Sequence, residues 1–257
     1  MKISVCGKGG SGKSTLVGLL AGQAEERRLN VLVVDSDESN SGLFRTLGFE
    51  KPPAPLMDLV GGKKKLKGKM ASSNILNDGQ ILIGDIPGEH IIKKNGLGLV
   101  SIGKIHRALE GCACPMGALT REFLKKLKLD ENEMAIIDME AGVEHFGRGI
   151  DKNVDAILLV VEPSYESIAI AAKIKELAGD MNKRLWAVLN KVDSADTAER
   201  LENKLEQHHI QLIGTIPNDS MIFEAGLEGR PFRPGEAFRA AGKVLDFVVD
   251  NLEGEAV

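Results

Sequence analysis

Residues 7–14 read Gly-Lys-Gly-Gly-Ser-Gly-Lys-Ser, which fits the pattern G-x-x-x-x-G-K-S of nucleotide-phosphate binding. Glycines at this spacing let backbone N–H groups converge on phosphate oxygens, because no side chain obstructs the approach. The pattern lies between an apolar run, residues 2–6, and a helix-like stretch that continues toward Arg28, so a helix directs its positive end at the same charge. We expect Lys13 to reach the β- and γ-phosphates and Ser14 to hold Mg²⁺. The chain is therefore predicted to bind a nucleotide and hydrolyse it.

Acidic residues follow two further apolar runs. Asp35 and Asp37 end the second run, and Asp138 ends the run Met-Ala-Ile-Ile-Asp. In a parallel sheet the carboxyl ends of the strands meet at the edge where the phosphate loop lies, so these acids can aid Mg²⁺ or orient water. Asp138 is expected to hold Mg²⁺ through water, and Gly142 to be the hinge that senses the γ-phosphate. Capping of the next helix is the alternative role for Asp35 and Asp37.

Residues 190–193 read Asn-Lys-Val-Asp after another apolar run. The spacing N-K-x-D is also how many GTPases recognise guanine, through an aspartate that accepts from the ring N–H and the exocyclic amine. Adenine does not offer that pair of donors. This segment by itself leaves the identity of the base open.

Cys112 and Cys114 form a C-x-C pair between two helix-like stretches, near 104–110 and 116–128. Two thiolates at this spacing can hold one soft metal ion, but they supply only half of a four-coordinate shell. A two-fold dimer would supply the other half on its axis, in a square plane for nickel or a tetrahedron for zinc. Buried structural thiols are the alternative, and core packing is what we expect for Cys6.

The composition excludes several classes of protein. The formal net charge of -4 argues against a general affinity for nucleic acid, which needs a basic surface. No uncharged apolar run approaches about 18 residues, and no charged, apolar leader precedes the first strand, so we expect a cytoplasmic protein that does not bind membranes. Three cysteines, an odd number, make a disulfide framework improbable in that compartment.

Short apolar runs alternate with helix-like stretches, which predicts an α/β fold with a doubly wound, mostly parallel sheet flanked by helices. The predicted strands are residues 2–6, 31–35, 81–83, 135–139, 156–161, 185–190 and 212–216. We interpret residues 1–257 as a single domain with an inserted region at about 50–130 that carries the cysteine pair and a lysine-rich loop at 63–69. A closing helix is predicted over 236–252.

Lys8, directly after the first glycine, makes the loop resemble the deviant P-loop of the MinD/ParA-type ATPases. The resemblance implies a P-loop NTPase fold and a homodimer whose subunits face each other across their nucleotides. Lys8 would then reach the partner's phosphates, much as an arginine finger does. It also implies that Asp37 positions water and that Asp35 lies closer to the metal.

The same resemblance implies ATP rather than GTP, with Asn190 at the adenine, residues 216–219 finishing the pocket and Asp193 incidental. The expected catalytic residues are Lys8, Lys13 and Asp37. The expected nucleotide-binding residues are Gly7, Gly9, Gly10, Ser11, Gly12, Lys13, Ser14, Thr15, Asp35, Asp138, Gly142, Asn190, Lys191, Pro217 and Asn218.

Together with the glycine before Cys112 and the segment Asp-Met-Glu-Ala-Gly-Val-Glu-His at 138–145, these motifs resemble the carbon monoxide dehydrogenase maturation ATPases (CooC family) nearly end to end. The resemblance implies slow ATP hydrolysis coupled to dimer opening and closing. It also implies that Cys112 and Cys114 bind Ni²⁺, or Zn²⁺ in its place, for insertion into carbon monoxide dehydrogenase. An acetyl-CoA synthase maturation factor shares the motifs, so the client enzyme stays open. Glu140 departs from the family, which more often has a small residue there.

Three other functions remain as alternatives. A GTP-dependent nickel chaperone is favoured by residues 190–193 but opposed by Lys8. An iron–sulfur or redox carrier would bridge a cluster between chains, as the nitrogenase iron protein does, although that protein takes its cysteines from well-separated segments. A partitioning ATPase acting on DNA or membrane finds no support in the acidic balance or the cysteine pair.

Overall fold

The computed structural model describes residues 1–62, 65–66, 76, 79–104, 114–232 and 234–253. Within these residues eight strands form one sheet in the order β3-β4-β2-β5-β1-β6-β7-β8. All neighbouring strands are parallel except β3 and β4, which are antiparallel. The strands are β1 (Lys2–Gly7), β2 (Asn30–Asp35), β3 (Ile92–Lys94), β4 (Leu97–Ser101), β5 (Glu133–Asp138), β6 (Ala156–Val161), β7 (Arg184–Val192) and β8 (Gln211–Pro217).

Helices connect the strands and cover both faces of the sheet. They are α1 (Lys13–Glu26), α2 (Leu43–Thr46), α3 (Leu56–Leu59), α4 (Cys114–Lys126), α5 (Glu144–Gly147), α6 (Tyr165–Asp180), α7 (Ala195–Gln207), α8 (Ser220–Glu228) and α9 (Glu236–Glu253). Short 3₁₀ turns occupy Ile83–Asp85 and Asp151–Asn153.

Two hydrophobic cores lie on opposite faces of the sheet. One contains apolar residues of α4, α6 and α7, and the other contains those of α1 and α9. The central strands are apolar at consecutive positions because each side chain meets helices whichever face it points to; all six residues of β6 are buried. The predicted doubly wound α/β fold is confirmed, and the closing helix predicted over 236–252 is α9.

The strand predicted at 81–83 is wrong. Ile81 makes only an isolated bridge to Leu127, and the chain then turns through the 3₁₀ helix Ile83–Asp85. The run is too short for a strand because Gly84 and Pro87 interrupt it, and Leu82 is exposed.

Two strands that sequence reasoning missed lie inside the region interpreted as an insertion. β4 pairs in parallel with β2, and β3 pairs with β4 as the antiparallel edge strand. Glycines at 96 and 98 hid the apolar pattern of β4. Because β4 borders β2, the chain that leaves β4 emerges beside Asp35, the last residue of β2. This part of the chain therefore reaches the same sheet edge as the phosphate loop.

The predicted helix near 116–128 is α4, which begins at Cys114. Most of the helix-like stretch near 104–110, namely residues 105–110, lies outside the described residues, as do Cys112 and most of the lysine-rich run at 63–69. Across the described part of the chain, no helix combines the length and apolar character needed to cross a bilayer.

Phe123 of α4 provides a test of the core, since it is only 1% exposed. Phe123→Ala should lower the free energy of unfolding by about 3–5 kcal/mol, because it removes buried surface and leaves a cavity. Phe223→Ala is the matched control at a side chain that is 72% exposed, and it should change the free energy by less than roughly 0.5 kcal/mol. Urea denaturation of both variants measures the difference, and equal losses would contradict the described core.

Candidate functional site

The phosphate loop runs from the end of β1 to the start of α1, as the sequence predicts. Gly12 caps α1 in the left-handed conformation, with φ 95°, and the side-chain amide of Asn190 lies directly against it. Asn190 Nδ2 donates to the carbonyl oxygen of Ser11 at 2.8 Å. Asn190, which is expected at the adenine base from the sequence, therefore also holds the backbone of the phosphate loop at Ser11.

Three lysine side chains and one glutamate side chain surround the loop. Lys13 is 6% exposed, and its Nζ lies 3.4 Å from the carbonyl oxygen of Lys8. Lys8 Nζ donates to Glu162 Oε1 at 3.0 Å, while Lys191 Nζ donates to Glu162 Oε2 at 3.1 Å and also to the carbonyl of Gly10. Glu162 thus pairs with both outer lysines. Sequence reasoning missed it, although its position directly after β6 at the carboxyl edge was a usable signal.

Ser14 and Asp138 form the corner expected to hold Mg²⁺. Ser14 Oγ donates to Asp138 Oδ2 at 2.6 Å, and Asn40 Nδ2 donates to Ser14 Oγ at 2.8 Å. Asp138 Oδ1 is buried and accepts no hydrogen bond from the described residues. Such an orphaned oxygen fits a metal ion or its water, since Mg²⁺ is usually held by one or two carboxylates, its own waters and substrate phosphates. Asn40 is a further site residue that the sequence did not single out.

The electrostatics of this corner favour an incoming cation. Burial raises the pKa of Asp138 to about 7, the hydrogen bond from Ser14 opposes that rise, and the nearby charges of Asp35 and Asp37 add to it. Asp35 and Asp138 are register partners on the adjacent strands β2 and β5. A divalent cation here would favour the ionised carboxylates.

Lys104 contacts the carboxylate that ends β2 and the backbone two residues later. Its Nζ lies 2.7 Å from each carboxylate oxygen of Asp35 and 2.5 Å from the carbonyl oxygen of Asp37. Burial raises the pKa of Asp35 to about 6, with the charge of Lys104 acting in the opposite direction. Asp37 Oδ1 accepts from the backbone N–H of Ser39 at 2.9 Å and from its hydroxyl at 2.6 Å.

The segment after β5 touches the phosphate loop directly. The backbone N–H of Gly142 donates to the carbonyl oxygen of Gly7 at 3.2 Å. Glu140 forms an ion pair with Arg148. Burial raises the pKa of Glu140 to about 7, with Glu38 adding to the rise and Arg148 opposing it.

The remaining nucleotide-binding candidates lie at the carboxyl ends of β7 and β8. Pro217 ends β8, and the backbone N–H of Asn218 donates to the carbonyl oxygen of Val192 at 3.1 Å. Asn218 Nδ2 donates to Asp193 Oδ1 at 2.9 Å. The carboxylate that would read guanine is thus engaged with the neighbouring loop. Gly9 and Thr15 lie in or next to the phosphate loop, as the motif dictates.

Cys114 is the exposed first residue of α4, while Cys112 lies outside the described residues. The described ranges contain no cluster of three or more His, Cys, Asp or Glu side chains arranged to hold a metal ion. Cys6 is fully buried in the core, as predicted.

Helix α4 contacts both segments that flank the candidate magnesium corner. The hydroxyls of Thr120 and Ser36 lie 3.1 Å apart, which joins α4 to the loop between Asp35 and Asp37. On the other side, a Cβ at Gly117 would lie 2.5 Å from Arg148 Cδ, so the glycine allows the arginine to pack across the helix.

Comparisons with known proteins agree with this geometry. Residues 3–232 match the family described as the CobQ/CobB/MinD/ParA nucleotide binding domain. An uncharacterised ATP-binding protein of Methanocaldococcus jannaschii is 44% identical over 234 residues, covering 89% of this chain and 92% of that protein. The carbon monoxide dehydrogenase accessory protein CooC of Rhodospirillum rubrum is 35% identical over 237 residues, covering 89% and 88%. The septum site-determining protein MinD of Pyrococcus horikoshii, solved with Mg-ADP, shares the fold, with TM-score 0.72 and 20% identity over 98% of this chain and 97% of that chain.

The raised pKa of Asp138 predicts a pH-dependent stability. The carboxyl of the unfolded chain ionises near the ordinary aspartate pKa of 3.8, whereas that of the folded protein keeps its proton up to a pKa of about 7. The free energy of unfolding therefore falls between these values as pH rises, because the unfolded state loses its proton first. Asp138→Asn cannot ionise, so its stability relative to the wild type should increase across that range. Urea denaturation in buffer without Mg²⁺ or nucleotide measures this, and a difference independent of pH would contradict it.

Two glycines of the loop allow a matched comparison. Gly10 and Gly12 have φ 82° and 95°, but a Cβ meets nothing within 4 Å at Gly10 and meets the Asn190 amide at Gly12. Alanine at either position should cost about 1–2 kcal/mol of unfolding free energy through the left-handed backbone. Gly12→Ala should cost roughly 1 kcal/mol more, because Asn190 must leave the Ser11 carbonyl. Equal losses in urea denaturation would show that Asn190 does not fix the loop.

Proposed function

This chain belongs to the CobQ/CobB/MinD/ParA nucleotide-binding family, and we propose that it is an ATP-dependent metallochaperone. We propose that it binds nickel through Cys112 and Cys114 in a homodimer and assists nickel insertion into carbon monoxide dehydrogenase or acetyl-CoA synthase. The observation that carries this proposal is the position of α4, whose first residue is Cys114 and whose next turns contact both sides of the candidate magnesium corner. The 35% identity to a carbon monoxide dehydrogenase accessory protein supports the same function.

In this proposal the phosphate loop holds ATP, with Lys13 turning from the Lys8 carbonyl to the β- and γ-phosphates. Ser14 and Asp138 hold Mg²⁺, which neutralises charge on the transferring phosphoryl group. The MinD protein of the same fold was solved with Mg-ADP, which supports a magnesium nucleotide as the bound species. Asp138 Oδ1, which is buried and accepts no hydrogen bond from the described residues, is the acceptor for a metal-bound water.

Hydrolysis is assigned to Asp37 and to Lys8 of the second subunit. Asp37 is fixed by two hydrogen bonds from Ser39, so its carboxylate is oriented in advance and can hold the attacking water. Lys8 must leave Glu162 to reach across a dimer. We expect slow turnover, because each hydrolysis event requires that ion pair to break and the dimer to close.

Nickel is the cargo, and the thiolates bind it. Each chain supplies two sulfur ligands, so two chains complete a four-coordinate site on the two-fold axis. The position of Cys114 supports this role. It is exposed, and it lies in the first turn of α4, where a helix N-terminus favours negative charge such as that of a thiolate.

Coupling between ATP and metal follows from the contacts of α4. Movement of the loop at Ser36 is passed to Thr120, and movement of the segment after Asp138 is passed through Glu140 and Arg148 to Gly117. Either movement displaces the helix that begins at Cys114. ATP would thus set the sulfur spacing on closure, and hydrolysis would relax it for transfer.

An anaerobic Ni²⁺ titration tests the proposal. The wild type should bind one Ni²⁺ per two chains and sediment as a dimer, whereas Cys112→Ser and Cys114→Ser should each lose the ion, because half of its ligands are removed. Cys6→Ala is the matched control, since Cys6 is buried in the core. Unchanged nickel stoichiometry and dimerisation in Cys112→Ser would end the metallochaperone assignment.

Two further readouts of the same preparation separate the alternatives. Visible absorbance of the anaerobically purified protein would indicate an iron–sulfur carrier instead. Hydrolysis of GTP in preference to ATP would indicate the GTP-dependent nickel chaperone.

A further inference from the structure

Lys104 joins the candidate nucleotide site to the segment that carries the cysteines. It lies just after β4, eight positions before Cys112 in the sequence. Within the described part of the chain, its ammonium contacts both carboxylate oxygens of Asp35, the last residue of β2, and the carbonyl oxygen of Asp37. The ammonium therefore fixes the exit of β4 against the exit of β2.

This ion pair is largely shielded from solvent. The side chains of Lys104 and Asp35 are 14% and 7% exposed. A buried charge is strongly destabilising when its partner is removed, so Lys104 has a strong requirement for Asp35 or for another acceptor.

The same carboxylate lies next to the corner expected to hold Mg²⁺. Asp35 is the register partner of Asp138, whose Oδ2 accepts from Ser14. A divalent cation bound at Ser14 and Asp138 attracts the Asp35 carboxylate and repels the Lys104 ammonium. Lys104 and the bound magnesium ion therefore compete for the Asp35 carboxylate.

We propose that Lys104 is a positioning residue, an internal cation that ties the approach to the cysteine pair to Asp35 and Asp37 and releases it when magnesium nucleotide binds. The cysteine pair is then controlled from both sides, by Lys104 before it and by α4 after it. That this release affects nickel binding rests on the proposed function, whereas the release of Lys104 itself requires only that magnesium nucleotide binds at the candidate site.

The test is the rate at which a thiol reagent modifies Cys112 and Cys114, since Cys6 is fully buried. Mg·ADP is the probe, because ATP is expected to close a dimer that would cover the thiols. In the wild type, Mg·ADP should accelerate modification about fivefold or more, the lower end of ordinary allosteric coupling. Lys104→Met should react fast without nucleotide and respond little to it.

Two variants and one buffer serve as controls. Lys104→Arg keeps the charge and should retain the response to Mg·ADP. Lys173→Met removes an exposed lysine that pairs with Glu176 at 2.8 Å and should behave as the wild type. ADP in EDTA should leave the wild-type rate slow, because the proposal requires the metal.

Several results would overturn the proposal. One is a wild-type modification rate that Mg·ADP does not change. A second is a rate that ADP in EDTA raises as much as Mg·ADP does. Both are measured on the wild type, so they test the proposal even if Lys104→Met does not fold. Another is a Lys104→Met variant with the slow rate and full response of the wild type. No nickel is used, so failure of nickel binding leaves this test standing, and its own failure leaves the nickel titration untouched.

Discussion

Three aspartates lie close together at the carboxyl edge of one parallel sheet, and the cost of keeping their charges in a buried corner determines how the site is built. Asp35 and Asp138 end adjacent strands in register, and Asp37 follows two residues later. Burial raises the pKa of both strand-ending acids, and the neighbouring negative charges add to it. Cations and hydrogen-bond donors must compensate, and nearly every described contact of the corner does so.

Four lysines lie in and around this site at different depths. Lys104 pairs with Asp35 in the interior, Lys13 lies under the phosphate loop, and Lys8 and Lys191 share Glu162 at its outer side. The ammonium groups of all four therefore contact oxygen acceptors of the protein itself. A nucleotide with its metal offers stronger acceptors to some and a competing positive charge to others. Ligand binding in such a site redistributes contacts that already exist.

The connection to the cysteine segment depends on the strand order. Since β4 lies beside β2, the chain leaves β4 next to Asp35, eleven positions before Cys112. Cys114 then begins α4. Thr120 and Gly117 of α4 then contact the loop at Ser36 and the arginine that pairs with Glu140. The helix that begins at Cys114 is therefore linked, at Thr120 and at Gly117, to the segments on both sides of the candidate magnesium corner.

The sequence by itself determined the parts that depend on local chemistry. The spacing of residues 7–14, the acids at the ends of apolar runs and the period of the helices predicted a glycine-rich loop before α1, carboxylates at one edge of the sheet and the doubly wound fold. Each of these follows from neighbours along the chain. Tertiary structure alone decided that β4 joins the sheet beside β2, that Ile83–Asp85 is a 3₁₀ turn, and that Asn40, Lys104 and Glu162 belong to the site. These residues occupy positions without a motif, and their roles come from strand order and burial, which bring together charges more than 20 positions apart.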